Sequence, residues 1–190
     1  MKRHSPTANS GFTLIELMVT VSVAAIILST AVPGFRQLIQ NNKVATEINA
    51  FVSALHLARS EAIKRGKDVT VCKSADSASC VTTNGWEQGW IAFVDDKATA
   101  NQVDVGEEIL RVYGPLGSGT TLRGNANVVN TVTFRASGFA KLNGSIILCD
   151  SRVQTFSTDK ALARVAVIST RGRVRLLKGD HADAPDSCTP

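Results

Sequence analysis

Apolar residues run almost without interruption from Phe12 to Val32, with a single charge, Glu16, among them. Those 21 residues match the ~20 that a helix needs to cross a bilayer. Pro33 and Gly34 follow, and beyond them the pattern turns from continuous to periodic. Val44, Ile48, Phe51, Val52, Leu55, Ala62 and Ile63 recur at steps of three and four, with Asn42, Thr46, Asn49, Ser53, Ser60 and Lys64 between them. That spacing predicts an amphipathic helix. Glu61 reaches Arg65 one turn on, and Gly66 supplies the stop. Pro33 is expected to kink the helix rather than end it, because lipid or packed neighbours can satisfy the freed carbonyl. Continuous from position 12 to 65, the helix would be 54 residues and ~80 Å long.

From Asp68 the texture changes to short β-like runs with turn residues between them. The predicted strands are 69–72, 90–94, 108–112, 131–134, 145–149, 164–169 and 173–177. The connections 73–85 and 95–106 are polar and long enough to be surface loops. One long helix packed on an antiparallel sheet, an α+β fold, follows from this order.

The apolar run opens as Gly11-Phe12-Thr13-Leu14-Ile15-Glu16-Leu17, behind a short leader carrying Lys2 and Arg3. A secretory signal has a shorter apolar core, with small residues at its far end. A plain anchor with its positive end inside accounts for the basic leader but not for a carboxylate so deep in lipid. The arrangement closely resembles a type IV prepilin. The resemblance implies that a prepilin peptidase cuts after Gly11 and methylates the new amino terminus at Phe12. It also implies that Glu16 helps the subunit join a growing filament. Its own or a neighbouring subunit's α-amino group can partner Glu16, which is how a buried carboxylate is tolerated.

On this reading the chain divides into a leader, 1–11, a transmembrane and filament-core helix, 12–35, and a globular domain, 36–190. The resemblance places that domain in the periplasm, first anchored in the inner membrane and then carried into an extracellular pilus with other pilins. Three further segments resemble the GspH/FimT branch of pilins. They are Leu57-Ala58-Arg59-Ser60-Glu61-Ala62-Ile63-Lys64-Arg65-Gly66, Gly85-Trp86-Glu87-Gln88-Gly89-Trp90-Ile91-Ala92-Phe93-Val94-Asp95, and Gly172-Arg173-Val174-Arg175. Trp86 and Trp90 are read as core packing rather than a stacking platform for bases.

Of the 190 residues, about 155 remain beyond the leader and anchor, enough for one sizeable core, and no internal repeat suggests a second domain. The formal charge of +5 falls to +3 without Lys2 and Arg3, leaving 19 basic and 16 acidic residues. Cys72, Cys80, Cys149 and Cys188 allow three pairings, and an exported domain makes disulfides the default. Cys72–Cys80, closing a short polar loop, and Cys149–Cys188, pinning the tail, are favoured. Zinc is disfavoured: there is no Cys-x-x-Cys pair, and His4, His56 and His181 are scattered. Asp95, Asp96, Asn101, Asp104 and Glu107 fit no calcium-loop spacing and are read as a solvated acidic turn. Nothing implies a cofactor or an enzyme, since no nucleophile–base pairing, phosphate loop or metal-binding helix motif is present.

The remaining chemistry lies in Arg171-Gly172-Arg173-Val174-Arg175, with Lys178 beyond it and Arg164 before it. Two apolar-rich runs flank Thr170-Arg171-Gly172, a hairpin signature. Alternation puts Arg173 and Arg175 on one face, ~6.6 Å apart, with Val174 and Leu176 toward the core and Arg171 at the tip. Arginine forks suit phosphate oxygens, and Gly172 either lets a nucleic-acid backbone approach or only makes the turn. The plain alternative is an edge strand kept from unwanted pairing by positive charge. FimT-type minor pilins carry a Gly-Arg-x-Arg motif linked to DNA binding in natural transformation, and the resemblance maps it onto Gly172, Arg173 and Arg175. Arg171 and Lys178 join by proximity. The expectation is a minor pilin that holds DNA by its phosphates, against a purely structural minor pilin that primes assembly or a secretion-system pseudopilin. The acidic tail, Asp180, Asp183 and Asp186, would either shield the patch or order it.

Overall fold

Thr13, rather than the glycine–phenylalanine junction, sets the start of the long helix. Its Oγ1 accepts from the Glu16 N–H at 3.3 Å, and its carbonyl accepts from the Leu17 N–H at 3.1 Å. The helix α1 is therefore Leu14–Arg65, 52 residues, two fewer than the apolar pattern predicts. Thr13 and Glu16 have the spacing of a capping box, which makes this start legible in the sequence. The helix continues through Pro33. It ends where Gly66 adopts φ +65° and donates its N–H to the Ala62 carbonyl at 3.0 Å. The computed structural model describes residues 11–96, 99–153, 156–180 and 187–188. The leader before Gly11, and Asp183 and Asp186 of the tail, lie outside the described residues.

The chain divides into two units, residues 1–42 and 43–190. In the first, every described residue is exposed, and the helix there is long and apolar enough to cross a membrane. In the second, α1 presents Val44, Ile48, Phe51, Ala54, Leu55, Ala58 and Ala62 as a buried stripe at helical spacing.

Among the described residues, eight strands meet that stripe: β1 Val69–Lys73, β2 Trp90–Val94, β3 Ile109–Tyr113, β4 Thr120–Gly124, β5 Thr131–Phe134, β6 Gly144–Asp150, β7 Arg164–Ile168 and β8 Val174–Lys178. A short helix, α2 Phe156–Asp159, precedes β7. The strands form two antiparallel four-stranded sheets, ordered β3-β2-β1-β5 and β4-β6-β7-β8, where the sequence pattern led to one. Both sheets turn their inner faces to α1, and the apolar residues of all three join one cluster. Phe51 sits edge-on to both Trp86 and Trp90, each 5.2 Å away, and Trp90 stacks on Tyr113 at 5.3 Å. The buried Trp86 Nε1–H donates to the Val128 carbonyl at 3.2 Å, so this tryptophan is packed and satisfied.

β1 and β2 are buried on both faces, which is why they read as continuous apolar runs. The two long connections cover their outer face. Cys72, Ile91 and Phe93 pack there with Cys80 and Val103. The acidic segment is likewise structural rather than a solvated turn. Asp95 is buried, accepting from Thr70 Oγ1 at 2.6 Å and from the Asn101 N–H at 3.0 Å. Asp104 and Glu107 accept backbone N–H groups of the same loop, and Asp96 pairs with Lys67. Among the described residues, no group of three or more His, Cys, Asp or Glu could hold a metal ion.

Both favoured disulfides are present: Cys72–Cys80 closes the first outer loop, and Cys149–Cys188 ties position 188 to β6. Alkylation of the native protein without reductant is expected to label no cysteine, and a mass showing any labelled thiol contradicts the pairing. Inside the first disulfide loop, Asp76 accepts from Ser79 Oγ and from the Ala78 and Ser79 N–H groups. Those bonds to the charged form hold its carboxyl well below the ordinary aspartate range. A depressed carboxylate contributes order that is fully present above the ordinary pKa and is lost only as pH falls through its own. Protection of the Ala78 and Ser79 amides from hydrogen exchange is therefore expected to persist at about pH 3, where a typical aspartate of pKa ~3.9 is mostly protonated. Asp76→Ala, which has no acceptor, should remove it at every pH.

Candidate functional site

The hairpin joining β7 to β8 is built on Ser169, Thr170, Arg171, Gly172 and Arg173. The Ser169 N–H donates to the Arg173 carbonyl at 3.0 Å, and the Gly172 N–H donates to the Ser169 carbonyl at 2.8 Å. Ser169 Oγ donates to that same Arg173 carbonyl and accepts the Arg173 N–H, both at 3.1 Å. Gly172 closes the three-residue loop at φ +75°, the left-handed position that such a hairpin requires.

A second turn of the same construction lies against it. The Arg135 N–H donates to the Phe139 carbonyl at 2.8 Å, the Gly138 N–H donates to the Arg135 carbonyl at 2.7 Å, and Gly138 has φ +78°. The Ala140 N–H donates to the Thr170 carbonyl at 3.0 Å and joins the two turns. A Cβ on Gly172 would stand 2.0 Å from the Gly138 carbonyl oxygen. Gly172 is buried in this contact, so it makes the turn and the close approach of two protein segments. It offers no surface to a nucleic-acid backbone.

Arg171, Arg173 and Arg175 are exposed. Arg59 from α1, Ser169, Thr170, Arg171 and Arg173 line a concavity of about 580 Å³. Three arginines and two hydroxyl residues contribute to the lining, and among the described residues no carboxylate does. Asp68 accepts the Ala136 N–H of the neighbouring turn at 3.2 Å and is not part of that wall. A second concavity of about 350 Å³ shares Ser169 and Thr170 and continues past Asn125, Asn143 and Ser145, so polar surface extends beyond the arginines.

Not every residue of the basic run joins this site. In the β7–β8 register Arg175 faces Val167 and Lys178 faces Arg164. Alternation places Lys178 on the face opposite Arg173 and Arg175, and five residues at ~3.4 Å each put it ~17 Å from Arg173. Arg164 is turned into its own neighbourhood, where Nη1 donates to the carbonyls of Ala161, Leu162 and Ala163. β8 is an edge strand, so Val174 packs on the core but Leu176, expected inside, is 41% exposed. Arg59 lies beyond the reach of the local pattern because its place at the tip is a tertiary fact, 112 positions before Arg171 in the chain. The glycine at matching positions of two turns, 138 and 172, was the available signal.

Among known proteins, the model of the family described as type II transport protein GspH matches residues 47–172, about two thirds of the chain. The prokaryotic N-terminal methylation motif matches residues 6–32. A fimbrial protein of Pseudomonas aeruginosa is 28% identical over 119 residues, covering 62% of this chain and 75% of that protein. The structure is similar to that of the type IV minor pilin FimU of Pseudomonas aeruginosa, with a TM-score of 0.56 at 24% identity over 81% of this chain and 98% of that one. It is also similar to the minor pseudopilin EpsH of the type II secretion system of Vibrio cholerae, with a TM-score of 0.51 at 13% identity over 73% and 98%. At such identities the two structures establish a shared fold.

Proposed function

We propose a DNA-binding role for this chain, which belongs to the GspH family and has the fold of minor pilins and pseudopilins. The family and fold are structural rather than enzymatic. Within that frame the chain acts as a minor type IV pilin that holds extracellular DNA without regard to sequence and contributes to its uptake in transformation. The observation that carries this reading is the arginine concavity, where Arg59, Arg171 and Arg173 converge with no carboxylate among the described residues of the wall. Arg175 adds a further exposed guanidinium on β8. Guanidinium forks on phosphate oxygens position a duplex without reading its bases, so affinity per subunit is low and gains come from repetition along or at the end of a filament.

A mobility-shift measurement with the full chain in detergent micelles tests this. Two duplexes of unrelated sequence should bind equally, and with about three phosphates neutralised log K should fall with log salt at a slope near −2.7. No shift at low salt would leave a priming subunit or a pseudopilin. The edge position of β8 favours those readings to the extent that positive charge there only prevents strand pairing.

The methylation motif supports processing between Gly11 and Phe12, anchoring in the inner membrane with the globular unit in the periplasm, and Glu16-assisted entry into the filament. Gly11→Val is expected to leave the precursor uncut in cells that express the peptidase. Intact mass reads the outcome, and a mature amino terminus other than Phe12 would remove the assignment.

A further inference from the structure

Arg59 is held by two bonds that end on two different turns. Its Nε donates to the Gly138 carbonyl at 3.0 Å, and its Nη2 donates to the Arg171 carbonyl at 3.2 Å. Two rigid donors set at fixed spacing in one plane can bridge two carbonyls in this way; a lysine ammonium on a flexible stem cannot reproduce the fork. The Nη1 group makes no hydrogen bond to the described residues, and Arg59 lines the concavity with Arg171 and Arg173. The side chain is half-buried on a helix, so it is the fixed member of the three, while the other two arginines project from a turn.

We propose that Arg59 completes a three-arginine seat for the phosphodiester backbone of one strand, tying the 135–139 turn to the 169–173 turn that lines the concavity and presenting the third guanidinium. This rests on the DNA reading and goes beyond it by placing the α1 helix in the binding surface. Arg59 positions Arg171 through the carbonyl it holds, and lines the concavity beside it. The ligand is a phosphodiester of a nucleic-acid strand entering from the side of the hairpin tip.

The experiment uses the full chain in detergent micelles and a fluorescent duplex, measured well below the melting temperature of each variant. Arg59→Gln is expected to weaken binding about tenfold. Arg59→Lys should stay nearly as weak, because it keeps the charge but loses the fork. Arg111→Gln, a charge loss on β3, should remain within about twofold of the parent. Full rescue by Arg59→Lys would mean that only charge matters, and parental binding by Arg59→Gln would mean that Arg59 only supports the fold. Either result overturns the proposal. The unmutated chain supplies a second measurement that does not depend on the variants folding. Modification by p-hydroxyphenylglyoxal, read by peptide mass, should fall at Arg59, Arg171 and Arg173 together when DNA is added, and not at Arg111. DNA binding with Arg59 modified at an unchanged rate sinks this proposal alone. Absence of DNA binding by the parent sinks the DNA reading and this proposal with it.

Discussion

Glutamine at both Arg173 and Arg175 is expected to weaken DNA binding about a hundredfold near 0.1 M salt, and equally for every sequence. Hydrogen bonds to charged groups contribute ~1.5–3 kcal/mol each, so two lost guanidiniums remove ~3 kcal/mol, which is about two decades in the dissociation constant. If each meets one phosphate, the dependence of log K on log salt should flatten from near −2.7 to near −0.9. The fold should be spared, since both side chains are exposed and exposed substitutions usually cost within ~0.5 kcal/mol. In cells the double variant should assemble pili and fail in DNA uptake. Binding that matches the parent, or loss of pili together with uptake, would assign the arginines to structure and leave priming as the role. Lys178→Gln is the internal comparison. Its place on the opposite face, ~17 Å along the strand, predicts an effect no larger than that of any distant surface charge.

What the sequence made legible is the set of features fixed by local chemistry. The continuous apolar run, the three-and-four periodicity around Ile48 and Phe51, the stop at Gly66 and the alternation in Arg173–Arg175 each depend on neighbours along the chain. So does the turn before β8. The strand Thr120–Gly124 is not legible because Thr-Thr-Leu-Arg-Gly lacks an apolar run; within it only Thr120 and Leu122 are buried. The division into two sheets was hidden for a different reason: strand order is set by pairing between distant segments, such as β1 with β5 and β4 with β6. The arginine site shows the same split. Its turn could be read directly, whereas Arg59, the burial of Gly172 and the departure of Lys178 came only from the packing of α1 and two turns.

Gly172→Ala is expected to cost about 3 kcal/mol or more and to disorder the tip, without removing any group that could touch DNA. Two effects add. A side chain at φ +75° is held in a sparsely populated backbone region, at ~1–3 kcal/mol. The new Cβ would also stand 2.0 Å from the Gly138 carbonyl oxygen, a backbone atom that cannot swing aside, and overpacking of this kind costs ~1–3 kcal/mol. Gly138→Ala separates the two. Its φ of +78° carries the same backbone cost, but the nearest atom is Ile63 Cδ1 at 2.7 Å, the far end of an exposed and flexible side chain. Denaturant unfolding of the full chain should therefore rank the parent above Gly138→Ala, and Gly138→Ala above Gly172→Ala. DNA binding should fall with the tip's order, because the Ser169–Arg173 bonds that aim the arginines depend on the same turn. A Gly172→Ala protein as stable as the parent, binding DNA less well, would show instead that the glycine serves the ligand and not the turn.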